Sequence, residues 1–353
     1  MTSNLQHQRQ IAIWLFACCA VIFCMVILGG YTRLTSSGLS MVEWRPLMGI
    51  IPPIGDTQWL AVFHKYQQFP EYQKINQGMT LEAFKGIFLV EYAHRVLGRG
   101  IGVLFALPFL YFVITRKTRG ILTLKLFAML VLGGMQGLLG WYMVKSGLVK
   151  DPNVSQYRLT AHLILAVLIY AYILYVAFGL MLPQAQSKAS QKLDASVSKL
   201  RKQGIALIAL IIVMIMSGGF VAGIHAGFVY NTFPLMKGSF IPSGLFEQQP
   251  LWRNFFENEL TVQFDHRMLA YSLCVLVPLY CLRVLQTSTN TSVRRAAMLF
   301  TSMLVVQVSL GISTLVMQVP VPLAVSHQGG ALLLLSAAIW VVCKLGSARQ
   351  NPG

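Results

Sequence analysis

The segments EYAHRVL (residues 91–97) and FDHRMLA (residues 264–270) mark the same point in two halves of this chain. Each places a His-Arg pair inside a long apolar stretch, and each is followed by a proline, Pro108 or Pro278. Histidine and arginine near hydrocarbon are costly unless a partner or a function keeps them there. The recurrence of the pair indicates an internal repeat with a functional site in each copy.

Composition places the chain in a membrane. Of its 353 residues, 56% are hydrophobic and 11% are charged, with a mean hydropathy of +0.63, whereas a soluble domain carries about a quarter charged residues. The net charge of +17 would suggest nucleic acid in a soluble chain, but no phosphate-binding glycine loop, basic-aromatic stripe or zinc-type cysteine spacing accompanies it. We therefore expect a polytopic membrane protein without a nucleic-acid partner.

Eight windows have the length needed to cross a bilayer, which is about 20 apolar residues each. They lie near residues 11–30, 87–114, 121–141, 159–182, 204–223, 263–284, 297–318 and 323–344. The segments on one side of them hold fifteen Lys/Arg and one acid, Asp194, against thirteen and ten on the other side. By the positive-inside rule the first side, with both chain termini, is expected to be cytoplasmic. The expected fold class is all-α, with eight transmembrane helices.

Shorter motifs extend the repeat. QGLLG (136–140) matches QVSLG (307–311), and ILGGY (27–31) echoes MSGGF (216–220). Each copy holds four spans, and an even number makes the copies parallel, related by an axis along the membrane normal.

The expected domains follow from this repeat. Residues 1–183 form an N-terminal four-helix half and residues 204–353 a C-terminal one. A cytoplasmic linker at 184–203 joins them. We expect two parallel-repeat four-helix bundles.

The even-numbered spans each carry one histidine within roughly two turns of the same end. These histidines are His94, His162, His266 and His327. An ordinary helix–helix hydrogen bond would be the commoner explanation for a single one of them. Four at one depth, paired by a repeat, favour two sites at which facing imidazoles hold a haem iron.

Glu91 distinguishes the first half from the second. It lies three residues before His94 and so on the same helix face, whereas the second half has Gln263, which cannot titrate, at the matching position. A carboxylate near hydrocarbon is usually functional, although pairing with Arg95 one turn later is a simpler explanation. Our hypothesis is that the first half performs chemistry, with Glu91 as its catalytic group, while the second holds a fixed cofactor.

Two sets of neighbouring residues have expected roles. Arg95 and Arg267 are candidate contacts for haem propionates, because a guanidinium matches a carboxylate; a snorkelling interface anchor is the equal alternative. Four glycines are expected to allow close helix packing. They are Gly133, Gly134, Gly137 and Gly140.

The compartment is inferred from the N-terminus and the cysteines. The segment before the first span resembles neither a cleavable signal nor a transit peptide. All six cysteines fall in apolar segments, which predicts no disulfide framework and no thiolate metal site. We expect a multi-pass protein of a bacterial cytoplasmic (inner) membrane.

Long stretches of the chain resemble the haem A synthase family. They are GGYTRLTSSGLSMVEWRPLMGIIPP (29–53), YQQFPEYQKINQGMTLEAFKGIFLVEYAHRVLGRGIG (66–102), YNTFPLMKGSFIP (230–242), VQFDHRMLAY (262–271) and LAVSHQGGALLLL (323–335). The similarity runs from about residue 11 to residue 344. The absence of outer-loop cysteines is similar to the proteobacterial and mitochondrial branch.

The resemblance implies a membrane oxidoreductase of cytochrome oxidase assembly. It would oxidise the C8 methyl of haem o to a formyl, through a hydroxymethyl intermediate, and so give haem a. By motif, His94 and His162 would hold the substrate haem o, His266 and His327 would hold a haem b, and Glu91 matches the family's acidic residue near the substrate. The implied partners are haem o synthase, an electron-transfer partner, membrane lipid and further copies of the chain.

Two other functions are compatible with parts of the histidine pattern. A dihaem b-type membrane electron-transfer protein would use the same four histidines. Two haems at one depth, however, do not form a stack across the bilayer, and Glu91 has no symmetric mate. A transporter with a histidine proton relay would bind no porphyrin, and the parallel repeats weaken that interpretation.

Overall fold

The computed structural model describes residues 2–43, 51–147, 154–182 and 195–347. Over these residues the chain is helical and forms no β-strand, apart from one isolated bridge between Met236 and Ser239. The α-helices are α1 (Thr2–Leu34), α2 (Gly55–Tyr66), α3 (Pro70–Lys74), α4 (Leu81–Ile114), α5 (Ile121–Gly147), α6 (Gln156–Met181), α7 (Ala195–Gly223), α8 (Asn254–Glu257), α9 (Glu259–Thr287), α10 (Thr291–Val316) and α11 (Val321–Ser347).

Eight of the helices in the described ranges are long and apolar enough to cross a membrane, namely α1, α4 to α7 and α9 to α11. In hydrocarbon every backbone N–H and C=O must bond within the protein, so apolar runs of this length fold as helices. The all-α class and the eight spans are confirmed. Several helices exceed their predicted windows: α7 begins at Ala195, so residues 195–203 of the expected linker are helical, and residues 184–194 lie outside the described part of the chain.

Side-chain caps fix where three of the spanning helices begin. Asn258 before α9 and Asn290 before α10 each accept hydrogen bonds from two backbone N–H groups of the first turn, at 2.9–3.3 Å. Thr80 caps α4 through the N–H of Ala83 at 3.3 Å. These bonds satisfy donors that have no partner inside the helix.

Four spans form the centre of the bundle. Helices α6 and α11 pack against each other, and both α1 and α7 pack against each of them. The other spans flank this centre: α4 contacts α1 and α5, α5 contacts α6, α9 contacts α7 and α10, and α10 contacts α11. The two sets of four helices make equivalent contacts. The pattern is unchanged when α1, α4, α5 and α6 are replaced, in that order, by α7, α9, α10 and α11 and the reverse. Burial agrees, because 61% of the most apolar window of α11 is buried, against 11% in α5.

The connection between α1 and α4 folds into a cluster of rings that we call the aromatic cap. Its buried members come from α2 and from the first turns of α4; they are Phe63, Tyr66, Phe84 and Phe88. Neighbouring ring centroids lie 5.0–5.7 Å apart, within the range of favourable aromatic pairs. The cap therefore packs α2 onto the end of α4 that leads to His94.

A carboxyl group is buried in this cap. Glu71 of α3 is 5% exposed and accepts a hydrogen bond from the Tyr66 hydroxyl at 3.1 Å. Burial raises the pKa of Glu71 to about 7; the nearby charge of Glu91 adds to the rise, and the bond from Tyr66 opposes it. The Glu71 carboxyl holds its proton more tightly in the folded cap than in the unfolded chain. It therefore contributes stability to the cap at pH values below the ordinary pKa of a glutamate. That contribution is lost as the pH rises through about 7.

We predict that the aromatic cap loosens as pH rises from about 5 to about 8. Hydrogen exchange of the α2 and α3 amides, corrected for the intrinsic pH dependence of exchange, will be faster at the higher pH. Glu71→Gln removes the charge that must be desolvated and will abolish the difference, while the exposed control Glu82→Gln will retain it. An unchanged pH dependence in Glu71→Gln would contradict this account.

Candidate functional site

The four predicted histidines lie on four different spanning helices and form two pairs. The side chains of His94 on α4 and His162 on α6 lie close enough for a charge on one to act on the other. The same holds for His266 on α9 and His327 on α11. All four residues are intermediate in exposure. The structure therefore brings together the pairs that the repeat predicts.

The second histidine of each pair packs on a glycine of the preceding helix. A Cβ atom added to Gly140 would lie 2.9 Å from His162 Cε1, and one added to Gly311 would lie 2.8 Å from His327 Cε1. These glycines close the matching motifs QGLLG and QVSLG. A side chain larger than hydrogen at either position would push the ring aside.

The first histidine of each pair also packs against a glycine. A Cβ atom added to Gly29 of α1 would lie 3.2 Å from His94 Nε2, and one added to Gly218 of α7 would lie 3.3 Å from His266 Cε1. Both glycines belong to the matching motifs ILGGY and MSGGF. The histidine rings thus contact glycines that belong to the motifs by which the repeat is recognised.

The packing role expected for the glycines of α5 was wrong at three positions. An added Cβ at Gly133, Gly134 or Gly137 would meet no described atom within 4 Å. Gly140 is in close contact, but with an imidazole ring rather than with a helix backbone. The number of glycines in α5 does not show which of them face another helix. Since α5 is a flanking helix with little of its surface buried, most of its positions contact no other described helix.

Two glutamines that the sequence matched only as parts of a repeat are partners of the histidines. Gln136 Nε2 lies 3.1 Å from His162 Nδ1 and 3.3 Å from His162 Nε2, and it donates to the His162 carbonyl at 3.0 Å. Gln307 Nε2 lies 3.1 Å from His327 Nδ1 and donates to the His327 carbonyl at 2.9 Å. The Oε1 atom of each amide is buried without a hydrogen-bond partner among the described residues. Because the amide nitrogen carries two N–H donors, it can donate to the carbonyl and to an unprotonated Nδ1 of the same histidine.

Glu91 is buried and its carboxylate is held from three directions. Arg95 lies 2.5 Å from Oε1, while the Ser40 hydroxyl and the Met41 N–H donate to Oε2 at 2.7 and 2.8 Å. The same guanidinium donates to the carbonyls of Met41 and Glu43 at 2.8 and 3.1 Å. The simple pairing with Arg95 is therefore present, and it also ties the connection after α1 to the helix that carries His94.

Arg267 makes the equivalent connection in the second half. Its guanidinium donates to the carbonyls of Tyr230 and Thr232, both at 2.8 Å, and Gln263 Nε2 also donates to the Tyr230 carbonyl at 3.1 Å. Here the anchoring involves no carboxylate. In both halves the arginine donates to backbone carbonyls two residues apart, and no sequence pattern indicates this role. Contact with haem propionates stays a prediction.

The chemistry of these groups suits a haem better than a bare metal ion. No group of three or more His, Cys, Asp or Glu side chains converges on a metal position in the described ranges. Two imidazoles on facing helices provide only the axial ligands of an iron whose other ligands come from a porphyrin. The glycine contacts fit this interpretation, because metal-bound histidines need a fixed ring. For the glutamine beside each ring to accept the Nδ1 proton of an iron-bound histidine, its amide oxygen must turn toward the ring.

We predict that alanine at the ring-contacting glycines expels haem. Gly311→Ala will lose haem from the C-terminal half and Gly140→Ala from the N-terminal half, because the new methyl group overlaps the imidazole. Gly137→Ala, on the same helix as Gly140 and free of contacts, is the matched control and will keep its haem. The measurement is haem per polypeptide after purification; equal haem in all three variants would contradict the proposed ligands.

Comparison with known proteins shows the family to which the chain belongs. Residues 12–339 match the sequence model of the family COX15-CtaA, described as cytochrome oxidase assembly protein. A protein named "Heme A synthase" from Nitrosospira multiformis is 54% identical over 334 residues, which cover 95% of this chain and 93% of that protein. Its namesake from Nitrosomonas eutropha is 51% identical over 340 residues, covering 96% and 95%. A third, from Rhodospirillum centenum, is 45% identical over 334 residues, covering 95% and 88%. The chain belongs to the COX15-CtaA family of cytochrome oxidase assembly proteins.

Proposed function

We propose that this chain is a haem A synthase, a membrane oxidoreductase that oxidises the C8 methyl of haem o to a formyl, through a hydroxymethyl stage, and so supplies haem a to cytochrome oxidase. The observation that carries this proposal is the pair of similar histidine sites of which only one lies beside a buried carboxylate. Relatives named "Heme A synthase" match the chain over nearly its whole length and support it.

The proposed topology has two parallel four-helix halves, 1–183 and 204–353, with both termini in the cytoplasm of a bacterium and the spans in its inner membrane. The exchangeable helix contacts, the four Gly–His contacts and the two Gln–His contacts support the repeat. The distribution of Lys and Arg supports the orientation.

The two halves differ in what they bind. His94 and His162 hold the substrate haem o, and His266 and His327 hold a resident haem b, whose iron supplies electron-transfer chemistry when it is bound. This division is supported by the residues beside each pair. Glu91 adds a titratable group to the first pair, and the second pair has the neutral Gln263 in its place.

Glu91 is proposed as the catalytic carboxylate. Each two-electron oxidation of the methyl substituent releases protons, and a carboxylate on the His94 face of α4 is placed to accept one. Arg95, Ser40 and the Met41 N–H keep that carboxylate at a fixed position. Glu91 is buried, with 3% of its surface exposed.

The proposed partners follow from the same chemistry. Substrate and product are membrane-soluble porphyrins, so haem o synthase is the expected donor and membrane lipid the surrounding medium. The substrate side chain changes its oxidation state in both steps, so the protein must exchange electrons with an electron-transfer partner. A homo-oligomer remains the expected assembly.

We predict that Glu91→Gln lowers conversion of haem o by about 100-fold or more while leaving haem b content unchanged. Glutamine is the residue at the matching position of the second half, so the substitution preserves the packing. Haems are extracted after co-expression with haem o synthase and separated into haem o, its hydroxymethyl form and haem a. The reciprocal control, Gln263→Glu, will not impair conversion.

Two outcomes would overturn the proposal. Wild-type rates of haem a formation in Glu91→Gln would remove Glu91 from catalysis. A wild-type protein that holds only haem b, even beside an active haem o synthase, would instead favour the dihaem electron-transfer protein.

A further inference from the structure

Three of the four histidines have a side-chain partner at Nδ1. The partner atoms lie at 3.1–3.2 Å, and the pairs are His162 with Gln136, His266 with Ser217 and His327 with Gln307. A side chain this close to the ring limits its rotation. The Ser217 hydroxyl can also accept the Nδ1 proton, which fixes the tautomer of a metal-bound imidazole and raises its basicity. Both histidines of the second half therefore have a fixed ring, and so does one histidine of the first half.

His94 differs from the other three. Over residues 2–43, 51–147, 154–182 and 195–347, no group forms a hydrogen bond with its ring. The sequence explains the difference, because the position of Ser217 in MSGGF corresponds to Leu28 in ILGGY. A leucine has neither a donor nor an acceptor to offer the imidazole.

The His94 ring also presents a different edge to its glycine. For His162, His266 and His327 the ring atom nearest to the added Cβ is Cε1, whereas for His94 it is Nε2, 3.2 Å from the Cβ position of Gly29. This orientation is a second observation, independent of the hydrogen bonds. It shows that the ring without a partner is also turned relative to the three that have one.

These differences matter because a bis-histidine iron has no open position. Losing the partner of a metal-bound histidine weakens metal binding by about 10–100-fold. We infer that His94 is the exchangeable ligand of the substrate haem: it leaves the iron and opens that face, while His162 stays bound and the second site stays closed. The inference rests on the proposed function in placing haem o between His94 and His162.

The same geometry places Glu91 on the side that opens. Glu91 and His94 are three residues apart and share one face of α4. Departure of His94 would therefore expose the iron on the side of the carboxylate, away from His162 and Gln136. The half with the titratable group and the half with the less firmly held ligand are thus the same half.

Carbon monoxide binding to the reduced protein tests this inference, because the gas binds only where a position is free or becomes free. In the wild type we expect it to bind the substrate haem and to leave haem b unchanged. His162→Ala, which empties the first site, assigns the signal. Leu28→Ser supplies the missing hydroxyl and will weaken carbon monoxide binding by about tenfold or more.

Two matched variants complete the test. Leu28→Ala removes the leucine without adding a hydroxyl and will not weaken carbon monoxide binding. Ser217→Ala removes the partner of His266 and will allow haem b to bind the gas. Equal binding at both haems of the wild type, or the same behaviour of Leu28→Ser and Leu28→Ala, would overturn the inference.

Haem extraction from the same samples separates this inference from the proposed function. If the first site held haem b instead of haem o, the proposed function would fail, yet carbon monoxide binding at that site would still decide whether His94 is the exchangeable ligand. A first site without any haem would overturn both.

Discussion

The close approach of imidazole rings to glycine is the constraint on which the rest of the structure depends. In the pair Gly29–Gly30, the first glycine faces His94 of its own half, while an added Cβ on the second would lie 2.1 Å from Gln328 of the opposite half. The pair at 218–219 repeats this arrangement. The ligand geometry and the interface between the halves thus depend on the same dipeptides, and small residues are what allow helices to approach so closely in a membrane.

The two halves share a framework and differ at the positions that matter for chemistry. Arg95 and Arg267 both anchor the connection that follows the first helix of their half. One anchor includes a carboxylate, and the other does not. Together with the change from serine to leucine beside the first histidine, this leaves the second half with both histidine rings held by side-chain partners and with a glutamine in place of Glu91. The other half carries the carboxyl side chain of Glu91 and one histidine, His94, whose ring has no hydrogen-bond partner among the described residues.

Much of this could be predicted from the sequence, because the forces that produce it act locally along the chain. Hydrocarbon imposes helices on long apolar runs, and the cost of a polar group there singles out His94 and its equivalents. The partners could not be predicted. Gln136 follows His94 in sequence but contacts His162, and only the packing of α5 on α6 reveals this. The carbonyls that bind Arg95 were missed for the same reason, since no residue pattern encodes the path of a connecting backbone.

An experimental density map of the protein purified with its haems would test the central claim most directly. This account predicts two porphyrins at the same depth, one with its iron between His94 and His162 and the other between His266 and His327. A single porphyrin, or an iron bound by any other side chain, would contradict it.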